Sequence, residues 1–154
     1  MVTKIHSQLL NRNKTISVAE SCSGGLLCAE LTKHPGASDY FLLGVVAYSN
    51  KSKVKILKIP AKIIAKHGAV SRQVAILMAK NIRQISKTDL GISITGIAGP
   101  GGATVNKPVG TVFICLSTKN KNTWRLFSFR GSRQSIRNQS TQEALRLLCA
   151  HLSL

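Results

Sequence analysis

The sequence predicts an α/β fold, a three-layer α/β/α sandwich around a mixed, mostly parallel sheet. Three observations carry this. Strand-like runs alternate with helical patterns along the chain. The strand runs are almost continuously apolar, as strands covered on both faces are. The runs VGTVFICLST and TWRLFSFR flank the turn KNKN, a hairpin that makes at least one strand antiparallel. A length of 154 residues suits a single domain, 1–154, with a core of its own.

The elements follow in order. Ile5, Leu9 and Leu10 mark a first helix ending near Asn13, and TISVA is a short strand. Ser23 is placed to cap a helix from Gly24 to about Lys33, which Pro35 and Gly36 terminate. YFLLGVVAYS is an apolar strand, followed by the basic amphipathic stretch NKSKVKILKI and Pro60. AKIIAKHG is a short helix stopped by Gly68. Ser71 caps a longer one, with Val74, Leu77, Met78, Ile82 and Ile85 at helical spacing. LGISIT is a buried strand, GIAGPGGATVNKP a long glycine-rich loop, and after the hairpin a last helix runs from about Ser132 to Leu152.

Composition narrows the function classes. No apolar run reaches the ~18–20 residues that cross a bilayer, and MVTKIHSQLLNRNK lacks a signal-peptide core. The expectation is a cytoplasmic protein with no membrane partner. Four scattered cysteines without a CxxC pair read as reduced thiols, and neither they nor the four histidines have metal-site spacing. No metal is expected. The formal charge of +17 attracts anions, either a phosphorylated small molecule or nucleic acid, and evenly spread lysines on solvated faces explain it equally well. Glu20, Glu30, Asp39, Asp89 and Glu143 are the only carboxylates, so a catalytic base is better sought among Lys and His.

Ligands of open α/β sheets sit beyond the carboxyl ends of strands. Two polar loops here directly follow strands, ESCSGG and GIAGPGG. P-loop, dinucleotide-binding GxGxxG and GxSxG motifs are all absent. In AESCSGG, a serine at a strand-to-helix turn presents its hydroxyl at the sheet edge, beside backbone N–H groups able to hold an oxyanion. Ser21 is the better nucleophile and Ser23 the better cap, although both serines could simply cap the helix. Cys22 reads as a buried structural thiol, and Glu20 as a residue that orders the turn. For the base, Lys51 or Lys53 could reach the same edge, with Tyr48, Ser49 and Asn50 as polar surroundings. His67 sits at a helix end. The amides of TGIAGPGG, from Thr95 and Gly96 through Gly99, Gly101 and Gly102, could wrap a phosphate or carboxylate, or form a mobile surface loop. Arg133 and Arg137, four apart on the last helix, could grip an anion or face solvent.

Taken together, AESCSGG, VVAYSNKSK, HGAVS, TGIAGPGG and KPVGTV, in this order, resemble the C-terminal domain of the CinA (competence/damage-inducible) family, from about Thr15 to the last helix and in its stand-alone form. The resemblance implies a nicotinamide-mononucleotide (NMN) amidohydrolase that releases nicotinic acid mononucleotide and ammonia. It implies a Ser/Lys dyad of Ser21 and Lys53, no cofactor, and a homo-oligomer. Glu20, Cys22, Ser23, Gly24 and Gly25 then form the active-site turn, whose N–H groups from Cys22 to Gly25 hold the oxyanion. Tyr48, Asn50, Thr95, the loop glycines, Arg133 and Arg137 line the substrate site. This chain departs from the family at three places: Ser23 where Thr is usual, Lys51 where an acid is usual, and Ser132 in GSR where Asp is usual. None removes a dyad residue. The alternatives are a nucleotide-binding regulatory module without turnover, and a basic nucleic-acid-associated protein.

Overall fold

The computed structural model describes residues 1–153. The elements are α1 (Val2–Asn11), β1 (Ile16–Glu20), α2 (Leu26–Leu31), a 3₁₀ turn (Ala37–Asp39), β2 (Phe41–Val46) and α3 (Asn50–Lys55). Then come α4 (Ala61–His67), α5 (Arg72–Ser86), β3 (Leu90–Gly96), β4 (Thr111–Ser117), β5 (Asn122–Ser128) and α6 (Arg133–Leu152). The described residues hold a five-stranded sheet of order β2-β1-β3-β4-β5. β1 pairs in parallel with β2 and β3, while β3–β4 and β4–β5 are antiparallel. Four strands therefore share one direction, although the ladders divide evenly between parallel and antiparallel. No helix among the described residues is long and apolar enough to cross a membrane.

The sheet separates two cores. On one face Ile5, Leu9, Leu27, Leu31, Ile136 and Leu148 pack against Val18, Ile92 and Ile114 from α1, α2 and α6. On the other, Leu57, Ile59, Ile64, Val74, Met78 and Ile82 from the α3–α5 layer pack under Ala19 and Ala47. Each such large apolar side chain, when fully buried, contributes about 1.5–3 kcal/mol. β1 and β3 lie inside the sheet and are buried almost throughout, as their apolar runs predict. β2 differs: Leu42, Gly44 and Val46 are exposed and alternate with half-buried partners. It is an edge strand whose neighbouring helix, α2, has six residues and covers only part of one face.

Two boundaries depart from the sequence reading. NKSKVKILKI contains a helix, α3, opened by a capping box in which the Ser49 side chain accepts from the Ser52 N–H and Ser52 Oγ accepts from the Ser49 N–H. Helix α2 begins two residues later than expected, for a reason that lies in the site. Ser71 and Ser132 cap α5 and α6 by accepting from Val74 N–H and Ser135 N–H. The register pairs Glu20 with Val46 on one side and Ile94 on the other, so β1, β2 and β3 end at one edge. The loops that follow all three strands meet there.

Candidate active site

β1 delivers Ser21 to that edge, and Glu20 shapes the turn that follows. The Glu20 side chain is fully buried. Its Oε2 accepts from the N–H of Gly25 (3.0 Å) and Leu27 (3.2 Å), and Oε1 from Cys28 (2.8 Å). A carboxylate five residues upstream thus caps α2, complementing the positive end of the helix. Ser23 is not the cap, contrary to expectation: its Oγ is buried and without a hydrogen-bond partner among the described residues. The cap position is taken by Gly25 at φ 98°, following Gly24 at φ 64°, conformations that favour glycine. The oxyanion assignment narrows too. The Gly24 N–H donates to Ser21 C=O (3.0 Å) and the Gly25 N–H is taken by Glu20, which leaves the N–H groups of Cys22 and Ser23.

Lys53 comes from α3. Its Nζ donates to Ser21 Oγ at 3.0 Å and to Ala47 C=O at 2.7 Å, with the side chain 1% exposed. Lys51, two residues earlier on the same helix, is exposed, so the geometry selects Lys53 over Lys51 as the partner of Ser21. Burial disfavours the ammonium and lowers the Lys53 pKa from 10.5 to about 8; the nearby Cys22 opposes this slightly. Burial also raises the Cys22 thiol to about 11, so it stays protonated beside the dyad rather than acting as a nucleophile.

Ser21 and Lys53 sit in a cavity of about 260 Å³. Tyr48 and Asn50 line it after β2, Thr95 and Gly96 at the end of β3, and Gly99, Gly101 and Gly102 from the glycine loop. Thr95 Oγ1 donates to Ala69 C=O (2.9 Å), tying β3 to the loop before α5. At Gly96 a Cβ would stand 2.6 Å from Val112 and 3.0 Å from Cys22 Sγ, so the absent side chain there makes room for packing beside the Ser21 turn. Arg133 reaches across from α6, donating to Gly99 C=O (2.7 Å) and to Tyr48 Oη. Arg137 does not join it. The expected pair of anion-gripping arginines is not formed, because Arg137 Nε and Nη2 both donate to Ser23 C=O, at 3.3 and 3.0 Å, outside the cavity lining. His67 is not in the lining either; its carbonyl accepts from Lys107 (2.8 Å), which fastens the glycine loop to α4.

Sequence reasoning missed Ala69, Val70, Ile97 and Ala98 in the cavity wall. Ala69 and Val70 lie in HGAVS, between the stop Gly68 and the cap Ser71. That close punctuation of two helices was the available signal. Chemically, the arrangement offers a hydroxyl, an amine of lowered pKa in contact with it, two backbone N–H groups and a cationic rim. That set suits nucleophilic attack on an acyl carbon.

Comparison with known proteins agrees with the fold. A family model described as the CinA C-terminal domain matches residues 1–152. The chain is 51% identical over 140 residues to a Moorella thermoacetica protein named as competence-damage inducible, covering 91% of this chain and 34% of that one. It is 48% identical over 144 residues to a CinA-like protein of Desulfotalea psychrophila, covering 94% and 35%. The chain thus spans about a third of the length of the curated relatives it matches. Among solved structures, the competence/damage inducible protein CihA of Agrobacterium tumefaciens superposes with a TM-score of 0.95 at 33% identity, covering 99% of this chain and 93% of that one. A CinA superfamily protein of Klebsiella pneumoniae gives 0.94 at 29% identity, covering 99% and 95%. The chain belongs to the CinA C-terminal domain family.

Proposed function

We propose that this domain is an amidohydrolase that converts NMN and water to nicotinic acid mononucleotide and ammonia. The observation that carries the reading is the 3.0 Å contact between the buried Lys53 amine and the Ser21 hydroxyl in the cavity. Neutral Lys53 takes the Ser21 Oγ proton as the oxygen attacks the carboxamide carbon. The tetrahedral oxyanion is held by the N–H groups of Cys22 and Ser23. Its collapse breaks the C–N bond, and the Lys53 ammonium protonates the leaving nitrogen, which departs as ammonia. Water then attacks the ester, giving its proton to Lys53, and the acid product leaves as Ser21 regains a proton. The Arg133 guanidinium, which lines the cavity beside Lys53 and has only neutral oxygens as partners here, supplies the cation for the phosphate.

The test is ammonia release from NMN by the purified protein and its Ser21→Ala variant. Removing the nucleophile lowers kcat about 1,000-fold or more with the melting curve preserved. Undiminished turnover in the variant would remove Ser21 from the mechanism. NMN binding without ammonia from the native protein would favour the regulatory nucleotide-binding alternative.

Charge layout supports an anionic substrate. Residues 50–88, which build the α3–α5 layer, hold ten Lys or Arg and no Asp or Glu. The ion pairs of the described residues, Lys14–Asp89, Lys33–Glu30 and Arg146–Glu143, all engage carboxylates outside it. This layer begins at Asn50, in the cavity wall. We expect kcat/KM for NMN to fall about fivefold from low to molar salt, while that for uncharged nicotinamide stays level. A parallel change for both amides would separate the layer from substrate capture.

A further inference from the structure

The turn carrying Ser21 has little of its own to hold it. Gly24 and Gly25 sit at φ 64° and 98°, the buried Ser23 Oγ has no hydrogen-bond partner among the described residues, and no Ser23 cap closes α2. Rotation of the Ser23–Gly24 peptide plane is cheap where a glycine flanks it. Yet that plane is pinned at both ends. Its N–H meets Ser21 C=O at 3.0 Å, and its C=O accepts two bonds from Arg137, 114 positions away on α6. The guanidinium is held in turn, with Nη1 donating to Gln134 Oε1 at 3.0 Å. It lies close against the turn: a Cβ added at Gly24 would stand 3.0 Å from Arg137 Nη2. From the opposite side, Glu20 fixes the N–H groups of Gly25, Leu27 and Cys28.

We propose that Arg137 is a positioning residue that locks the Ser23–Gly24 peptide, and thereby keeps the N–H groups of Cys22 and Ser23 aimed at the oxyanion. This rests on the amide-hydrolysis reading above. Bonds from a charged donor are about twice as strong as neutral ones. Arg137 therefore dominates over the single neutral Gly24 N–H bond in setting the plane. Freed, the plane can turn and place the Ser23 carbonyl where charge develops, opposing the oxyanion. Because that charge exists only around the tetrahedral state, the loss falls on kcat and leaves KM.

The experiment compares wild type, Arg137→Ala and Arg137→Lys. It measures steady-state ammonia release from NMN and, separately, the rate at which a fluorophosphonate labels Ser21. Labelling needs the same nucleophile and oxyanion donors but no amide substrate. Arg137→Ala is expected to lower kcat about 100-fold, with KM within about twofold and labelling slowed in parallel. Arg137→Lys, which keeps one charged donor, is expected to recover about tenfold of that loss. A raised KM with kcat intact would overturn the proposal and make Arg137 a substrate contact; so would wild-type rates in either folded variant. If Arg137→Ala loses its cooperative melt, Arg137→Lys decides, since an unchanged kcat and labelling rate there sinks the idea. If native protein labels at Ser21 but releases no ammonia from NMN, the proposed function fails, while the labelling rates still judge Arg137.

Discussion

Lys53→Met is expected to lower NMN turnover at least 1,000-fold at pH 7 and, at the same pH, to make the protein harder to unfold. Both effects have one origin. The Lys53 side chain is 1% exposed and its pKa is lowered to about 8 by burial, so at neutral pH folding carries a mostly charged amine out of water. A depression from 10.5 to about 8 corresponds to about 3 kcal/mol of lost native stability below pH 8. Methionine removes that cost but leaves the Ala47 carbonyl without its donor, so a net gain of about 1–2 kcal/mol is expected. The sign follows from linkage. Between pH 8 and 10.5 the unfolded chain binds the proton that the folded one has released, so native stability rises with pH and the advantage of methionine shrinks. Under the proposed amide hydrolysis, the pH profile of the native protein is expected to run the same way. A general base must be neutral, so kcat/KM should climb about tenfold per pH unit below 8 and level above it. Urea titrations across this range, beside a pH–rate profile, check both halves. A limb near pH 6.5 instead would point to a histidine.

Much of the fold was legible because the signals that set it are local. Apolar runs marked the first four strands, the KNKN turn placed β5 as their hairpin partner although it is mixed in polarity and largely exposed, and Gly68 and Ser71 bracketed the gap between α4 and α5. Where reading failed, the deciding contact was remote. The run around β2 looks like an interior strand, but a strand's apolarity does not say whether it has neighbours on both sides. Its exposed Leu42 and Val46 follow from its place at the sheet edge. NKSKVKILKI was too short and too charged for its periodicity to stand out, and the Ser49–Ser52 box that nucleates α3 uses two serines rather than the Ser/Glu pattern a search would favour.

The site divides the same way. Residue chemistry brought Ser21 forward but left Lys51 and Lys53 level; a two-residue shift on a helix decides which amine turns inward, and only the structure and the family resemblance separate them. The arginines mislead for a related reason. A spacing of four puts Arg133 and Arg137 on one helical face, yet Arg133 is a turn nearer the cavity and finds Gly99 and Tyr48, whereas Arg137 meets the back of the serine turn. Ser23 shows the limit of cap rules. Its hydroxyl was available for the helix start, but the Glu20 carboxylate accepts three N–H bonds where a serine accepts one or two.

That substitution of caps makes Glu20 the side chain outside the dyad whose loss should be felt most. Glu20→Ala is expected to destabilise the protein by about 3–5 kcal/mol, because three N–H groups, two of them in the first turn of α2, lose a charged acceptor. Glu20→Gln discriminates between shape and charge. The amide matches the carboxylate in size, but one of its two ends carries hydrogens. If that NH₂ replaces Oε1 it faces the Cys28 N–H; if it replaces Oε2 it faces those of Gly25 and Leu27. Either placement sets donor against donor, so a loss of about 2–3 kcal/mol is expected despite the near-identical volume. Because Gly25 closes the turn that runs on from Ser21 through Cys22 and Ser23, loosening it also loosens the oxyanion donors, and kcat should fall with the melting midpoint in Glu20→Gln. Denaturant unfolding and ammonia release measured on the same samples check the pair. A Gln variant as stable as wild type would mean that the carboxylate fills space without capping the helix.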